Sequence, residues 1–385
     1  MNILVVCHYG LYSNFSNSFV HAQATEYVTL GHRVRVIVPI AVGKRDWEGN
    51  RFSGSIQRRD QDGVELYLLR YLSLSNFGKE KGINRVCALR AMSRCADKLL
   101  KGFAPDIIHT HTLGTDSEIG AWLKERLGVP LVVTSHGGDT FIPYEEGRRD
   151  ELSYFAGRAS HLVCVSSLLK RRLEECGVLA PISIILNGFR IKNTVSQRDR
   201  LPLSFIQAGY LVSRKKANIT IRAFAKLCEK YPDASLSVVG IGPEMKRFQS
   251  LCGDLGVERK VRFHGGISNA EVLAEMSKSH FFVMPSVNEG FGIVYLEAMA
   301  SGCVTIGTEG EGIADVIVSG ENGFLVPPDD PDAIVQTVEW CLGHPNEAAA
   351  IAERGRRNAL ELTWEKNAAQ YIGLFKSLTG RKQGQ

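Results

Sequence analysis

The sequence predicts a two-domain α/β protein in which each domain is a doubly wound, mostly parallel sheet. Two observations point to this. Strand-length apolar runs alternate with helix-period stretches along the whole chain, and the alternation starts afresh after a polar, charged stretch, RIKNTVSQRDRLP, at 190–202. The length of 385 residues agrees, since chains longer than roughly 250–300 residues usually divide into domains. The expected domains are therefore 1–189 and 190–363, with a C-terminal helix at about 364–380 packing back on the first.

Element by element, the first half offers strands at ILVVC (3–7), RVRVIVP (33–39), VELYLLRY (64–71), DIIHTH (106–111), PLVVTSHG (130–137) and HLVCVS (161–166). Helical patterns lie between several of them, such as FVHAQATEYVTLG, whose Gly31 stands where a C-cap is expected. The second half offers strands at 204–209, 234–240, 260–265, 280–286 and 304–310, with helices near 217–230, 243–254, 269–278 and 292–301. Strand, helix, strand in this order gives parallel sheets covered on both faces, and such sheets bind ligands beyond the carboxyl ends of their strands. A site between two such domains would draw loops from both. The last helix, TWEKNAAQYIGLFKSL, carries an apolar face through Trp364, Ala368, Tyr371, Ile372 and Phe375, so it must pack on something.

Composition narrows the function. A hydrophobic share of 44% and a charged share of 23% are those of a globular protein, and a net charge of +5 is too mild to argue for nucleic acid. The opening MNILVVCHYG has no basic segment before its apolar run, and no stretch reaches membrane-spanning length, so a cytoplasmic protein is expected. The nine cysteines form no C-x-x-C and read as reduced, structural thiols. One region is locally basic: in the helical stretch 79–101, Arg90, Arg94, Lys98 and Lys101 share a face, while Val86, Leu89, Met92, Leu99 and Leu100 take other positions. Such a face is usually just solvated. It also fits contact with anionic headgroups at the inner surface of a membrane, or with an anionic lipid-linked substrate.

The stretch EGFGIVYLEAM (289–299) carries the most chemistry. It follows a buried strand, so Glu289 lies in a loop and Glu297 about two turns into a helix. Gly290 and Gly292, flanking Phe291, let backbone approach a ligand closely, and the first helical N–H groups from Ile293 onward favour an anion there. Glu297 suits a diol such as ribose, and Glu289 the hydroxyls of a second sugar. A plain loop-to-helix turn with a solvated second glutamate explains the spacing equally well on its own.

Other motifs read blandly. Asp60 and Asp62, and Asp330 and Asp332, form D-x-D pairs in turn-forming sequence, so no metal site is assigned to them. Gly240 and Gly242 lack the third glycine of a dinucleotide fingerprint. His109 and His111, two apart on one strand, are expected on opposite faces, which argues against a zinc pair; His109 is taken as a core histidine and His111 as facing a cleft.

The stretch PSVNEGFGIVYLEAMASGCVTIGTEGEGIADVIVSGENGFLVPPDD (285–330) closely resembles the signature of the retaining family 4 glycosyltransferases of GT-B fold. GHRVRVIVP, DIIHTHT, SHGGD, AGYLVSRKKA and VVGIGPE extend the likeness over nearly the whole chain. FVHAQATEYVTLGH is similar to members that build cell-envelope or capsular polysaccharide. The resemblance implies transfer of a hexosyl unit from a nucleotide-diphosphate sugar to a sugar or lipid-linked sugar, without a metal or other cofactor. It implies that Glu297 binds the donor's ribose, Glu289 the transferred sugar, Arg214 and Lys215 the diphosphate, His136 the transferred sugar and its leaving group, and the backbone at Ile267 the nucleobase. The basic pair and the helix tip at Gly290–Ile293 are expected to share one anion across the gap between domains. Two rivals are a nucleotide-sugar 2-epimerase of the same architecture and a non-catalytic nucleotide-sugar or lipid-binding protein. Three departures stand out: Tyr210 replaces a usual Arg, Lys216 follows Lys215 where Gly is common, and the N-terminal loop lacks a Gly-Gly pair, leaving Asn17 or Ser18 as its candidate contacts.

Overall fold

The computed structural model describes residues 1–8, 19–42, 56–73, 82–190 and 203–380. Asn17, Ser18 and the polar stretch 191–202 lie outside the described residues. The chain forms two compact units, Met1–Leu186 with Trp364–Gln385, and Asn187–Thr363.

The first unit carries strands β1 (Asn2–Val6), β2 (Arg33–Val42), β3 (Ile56–Gln61), β4 (Val64–Leu72), β5 (Ile107–His111), β6 (Leu131–Ser135), β7 (His161–Cys164) and β8 (Ile182–Ile184). They form one sheet in the order β3-β4-β2-β1-β5-β6-β7-β8. Its helices are α1 (Phe19–Thr29), α2 (Gly82–Leu100), α3 (Thr115–Leu127), α4 (Gly138–Glu145), α5 (Arg149–Gly157) and α6 (Ser167–Glu175). The second unit carries α7 (Ala217–Lys230), α8 (Met245–Asp254), α9 (Asn269–Lys278), α10 (Ile293–Ala300), α11 (Pro331–Gly343) and α12 (Pro345–Leu360). Its strands β9 (Ser204–Ala208), β10 (Ser235–Val239), β11 (Val261–Gly265), β12 (Phe281–Val283), β13 (Val304–Thr308) and β14 (Phe324–Val326) form an all-parallel sheet in the order β11-β10-β9-β12-β13-β14. Central strands such as β5, β6 and β13 are buried on both faces, which is why they lack an apolar-polar alternation, although β5 also buries His109, Thr110 and His111. The last helix, α13 (Trp364–Leu378), returns to the first unit and sets Ala368, Tyr371, Ile372 and Phe375 into the core beside Tyr27 and Ala24.

Strand β3 is absent from the sequence reading. It is an edge strand, antiparallel to β4 and exposed along most of its length, so it carries no apolar run. Its turn did leave a trace: Asp62 (φ 50°) and Gly63 (φ 77°) both adopt the left-handed conformation that an Asp-Gly hairpin turn requires. Asp60 pairs with Arg58 at 3.2 Å and Asp62 with His21 at 2.9 Å. The second D-x-D pair is a helix start, where Asp330 accepts from the N–H groups of Asp332 (2.9 Å) and Ala333 (3.0 Å) and Asp332 pairs with Lys226.

Gly240 and Gly242 also serve packing. A Cβ on Gly240 would lie 1.9 Å from the Gly209 carbonyl oxygen, and one on Gly242 would lie 2.2 Å from that of Leu211. On α2 one expectation needs correcting. Val86 is 46% exposed, in line with the exposed Ile83 and Arg90, because residues three and four apart share a helix face. All nine cysteines are free thiols, most of them buried, and burial pushes the thiols of Cys252 and Cys341 up to about 11 and about 12.

Candidate active site

In both sheets the strand order reverses at one point, between β1 and β5 and between β9 and β12. Diverging crossovers leave a crevice beyond the strand ends at such a point. In each unit the crevice is bridged by a polar pair that the chain brings together from far apart.

In the second unit the pair is Lys215 and Glu289. Lys215 closes a short turn after β9 and is 9% exposed; Glu289 follows β12 and is 8% exposed. The Lys215 Nζ donates to Glu289 Oε2, and Arg214 Nη1 reaches the same oxygen at 3.3 Å. Both cations therefore converge on one carboxylate oxygen. The loops are fixed by hydrogen bonds invisible to motif reading: Gln207 Nε2 donates to the Lys215 carbonyl (2.9 Å), Val287 N–H to the Arg214 carbonyl (2.8 Å), and Glu289 N–H to Glu311 Oε2 (2.9 Å). Beneath them the buried Tyr295 hydroxyl donates to the Met284 carbonyl at 2.5 Å and lies 2.7 Å from Ser286 Oγ.

Gly292 (φ 79°) stands immediately before Ile293, the first residue of α10, so the free N–H groups of that helix open beside Glu289. Phe291 is 2% exposed and anchors the loop from below, so only its backbone is placed to meet a ligand. Glu297 lies in the second turn of α10 and accepts from Asn269 Nδ2 at 2.8 Å; burial raises its carboxyl above the usual range. Ile267, half-buried between β11 and α9, is two residues from Asn269. Arg214, Lys215, Glu289, Gly290 to Ile293, Glu297 and Ile267 thus all belong to one unit. This corrects the expectation that the basic pair and the helix tip oppose each other across a gap between domains: β9 and β12 are sheet neighbours, so the loops that follow them emerge side by side.

Gly312 controls how closely these loops pack. A Cβ there would lie 2.2 Å from the Gly290 carbonyl oxygen and 2.8 Å from that of Glu289. Gly312→Ala is expected to displace the Glu289 loop and destabilise the protein by about 2–4 kcal/mol. Thermal unfolding should record a fall of roughly 5–15 °C for a unit of this size, and an unchanged midpoint would refute the packing argument.

In the first unit the pair is His8, after β1, and Asp116, at the start of α3. His8 Nδ1 lies 2.7 Å from an Asp116 carboxylate that is fully buried and also accepts from Thr112 Oγ1 at 3.1 Å. Thr112 has a φ of 119°, rare for a β-branched residue and held here by these contacts. His136, after β6, has its Nε2 3.0 Å from His111 Nδ1 and its ring 4.4 Å from Phe19. Asp139, absent from the sequence reading, ties the loops together: it accepts from the N–H groups of His136 (3.0 Å) and Gly137 (2.9 Å) on one oxygen and of Leu113 (3.0 Å) on the other. Burial, followed by the His8 imidazole, lowers His136 to about 3, so its ring is neutral at physiological pH.

The expectation for His109 and His111 is corrected. Alternate residues of a strand point the same way, and the two rings lie side by side with centroids 4.2 Å apart. His109 is 2.9 Å from Thr134 Oγ1, and His111 is 1% exposed rather than open to a cleft. Among the described residues no group of three or more His, Cys, Asp or Glu side chains is placed to hold a metal ion.

Residues 16–192 match the model of Glycosyltransferase Family 4, and residues 193–358 that of Glycosyl transferases group 1. D-inositol 3-phosphate glycosyltransferase of Corynebacterium urealyticum is 32% identical over 310 residues, 72% of each chain. A GDP-mannose-dependent mannosyltransferase of Mycolicibacterium smegmatis is 35% identical over 181 residues, 45% of this chain and 47% of that one. Among solved structures, sucrose-phosphate synthase of Thermosynechococcus elongatus aligns with a TM-score of 0.78 at 18% identity, covering 99% of this chain and 100% of that one. HepE of Anabaena, in complex with UDP-glucose, aligns with a TM-score of 0.74 at 19% identity, covering 98% and 100%. These likenesses show the GT-B fold.

Proposed function

Since this chain belongs to the glycosyl transferases of group 1, we propose that it moves a hexosyl unit from a nucleotide-diphosphate sugar to an acceptor hydroxyl, with retention at the anomeric carbon, in the synthesis of cell-surface polysaccharide or glycolipid. The observation that carries the reading is the convergence of Lys215 and Arg214 on Glu289 beside the glycine-tipped start of α10. Two cations and a helix N-terminus around one point suit a diphosphate that gains charge as it leaves. The UDP-glucose of the Anabaena structure supports a nucleotide sugar as donor class.

In the reaction the acceptor oxygen bonds to the anomeric carbon while the bond from that carbon to the diphosphate breaks. The electron pair goes to the leaving oxygen, and the acceptor's proton follows it there. Lys215, Arg214 and the α10 N–H groups hold the leaving charge, Glu289 accepts from hydroxyls of the transferred sugar, Glu297 binds the ribose, and the backbone at Ile267 meets the base. His136, as a neutral imidazole, hydrogen-bonds the transferred sugar and leaving group. Protein cations supply all the charge compensation in this scheme, so EDTA is expected to leave turnover intact; a loss restored by Mn²⁺ would overturn the metal-free account.

A thermal-shift screen of nucleotides and nucleotide sugars, followed by donor hydrolysis, tests the whole reading. Selective stabilisation follows from mass action, about 2.7 kcal/mol at a hundredfold excess over Kd. Stabilisation without turnover under any acceptor would favour a binding protein instead.

Work at a membrane surface is part of the proposal. Among the described residues no helix is long and apolar enough to cross a membrane. The stripe of α2 that presents Arg90, Arg94 and Lys98 also exposes Ile83 and Val86, the mixture that lies in an anionic headgroup layer. Replacing the three cations by glutamine should weaken binding to phosphatidylglycerol vesicles by about 1 kcal/mol per charge; unchanged co-sedimentation would sink it.

A further inference from the structure

Within the first unit a cavity of about 940 Å³ runs from His8, Thr112 and Asp139 at the strand ends, past α4, to α5 and Arg85 of α2. Its volume lies near the top of the roughly 300–1,000 Å³ typical of small-molecule sites, more than one sugar ring requires. We propose that this cavity takes a neutral, hydroxyl-rich saccharide of more than one ring, stacked on Tyr154, hydrogen-bonded to Glu151 and reaching His8 at its inner end. The inference rests on the transferase reading, and makes this saccharide the acceptor.

The wall determines the chemical class. Among the described residues, Asp139, Glu146, Asp150 and Glu151 supply four carboxylates against the two guanidiniums of Arg85 and Arg148. Both guanidiniums are already engaged. Arg85 Nη1 lies 3.3 Å from Glu151 and its head sits over the Phe155 ring, while Arg148 pairs with Glu146 at 2.9 Å and with Glu151. An anionic headgroup or sugar phosphate would meet surplus negative charge and would have to break an ion pair to gain a cation. Sugar hydroxyls, by contrast, donate to carboxylates without any charge being moved.

Apolar surface is present where a sugar ring could use it. Tyr154 and Ile142 line the cavity and are 51% and 54% exposed, so their apolar surfaces are open to a ligand in it. The Tyr154 ring is held in place: its hydroxyl accepts from Arg158 at 2.9 Å and lies 3.3 Å from Glu118, the Arg158 guanidinium covers one side of the ring at 5.5 Å, and Phe155 packs against it in a T-shaped arrangement at 5.3 Å. A fixed aromatic face costs little entropy to use and suits the C–H edge of a pyranose. At the inner end the Asp116 carboxylate orients the His8 ring, which is 39% exposed, as a polar terminus for one hydroxyl.

The test is saturation-transfer NMR on the full chain with maltotriose and cellotriose as neutral probes and glucose 1-phosphate as the anionic one. At least one trisaccharide is expected to bind and glucose 1-phosphate not. Tyr154→Ala should weaken trisaccharide binding about three- to tenfold, whereas Tyr154→Phe, which keeps the ring, should retain it. Glu151→Gln should weaken it too and, by releasing Arg85 and Arg148, bring in glucose 1-phosphate. Failure of both trisaccharides to bind, tighter binding of glucose 1-phosphate than of either to the unaltered protein, or equal binding by the Ala and Phe variants would each overturn the inference. The thermal-shift response to nucleotides, read in the same samples, separates the two proposals. A nucleotide response without trisaccharide binding sinks the cavity alone; trisaccharide binding without a nucleotide response supports the cavity and sinks the transferase reading.

Discussion

Lys215→Ala is expected to lower turnover by about 10²–10³ with little change in KM, because the lost donor acts on charge that develops only in the transition state. The same change should also lower stability, and the two effects need separating. Lys215 and Glu289 are each about a tenth exposed, and the Lys215 ammonium is the nearer of the two cations to the carboxylate. Removing it leaves Glu289 buried with only the half-exposed Arg214, a loss on the order of 3–5 kcal/mol. The double variant Lys215→Met with Glu289→Gln removes both charges at similar volume, so its melting temperature should recover most of the fall. Its turnover should not recover. If donor hydrolysis returned together with the melting temperature, Lys215 would be a structural partner of Glu289 and nothing more.

What the sequence made legible follows from where each residue sits. Strands buried on both faces are rich in apolar residues, so β1, β5, β6, β9 and β13 announced themselves, and α7 and α9 showed their period. β3 is exposed along most of its length, and β8 and β14 are short and only partly buried, unlike the equally short but fully buried β12, so none of the three carries a buried apolar run. The site divides in the same way. Gly290, Gly292 and Glu297 are adjacent in sequence and could be read together. The Lys215–Glu289 pair joins positions 74 residues apart, and no local spacing encodes that. Asp139, with three hydrogen bonds to backbone N–H groups, and Glu311 and Gln207, with one backbone bond each, act through contacts that any turn residue could imitate. The error over His109 and His111 was one of geometry, since a period of two places alternate residues together.

Lys216 shows how a departure from the family pattern is accommodated. It takes φ 53° and ψ 36°, a conformation that glycine adopts freely and a side chain resists by about 1 kcal/mol. Its ammonium in turn lies 2.6 Å from Asp329, itself at φ 57°. The turn that presents Lys215 is therefore kept although the glycine is not. The same economy appears at the scale of the fold: each sheet carries one polar pair across its switch point, His8 with Asp116 and Lys215 with Glu289.

Glu297→Ala should weaken nucleotide binding about 10- to 100-fold, the range for a hydrogen bond to a charged group, and leave kcat at saturating donor nearly unchanged, because the ribose is remote from the bond that breaks. Stability should move the other way or not at all. Burial raises the Glu297 carboxyl, meaning that the folded protein holds its proton more tightly than the unfolded chain does. The group therefore contributes most to folding in acid, and that contribution is lost as pH rises through the raised value. Removing it at pH 7 relieves an unfavourable buried carboxylate whose protein partner, Asn269, is exposed. Affinity runs opposite to stability, since a ribose diol donates best to the ionised form, so binding should weaken as pH falls through the same window. The nucleotide's own phosphate titrates nearby, and Glu297→Gln supplies the control because its amide does not titrate. Calorimetry from pH 8 to pH 5 should give a steeper fall for the native protein than for the Gln variant. Parallel curves would mean that Glu297 does not touch the ribose and that α10 holds the donor through its N-terminus alone.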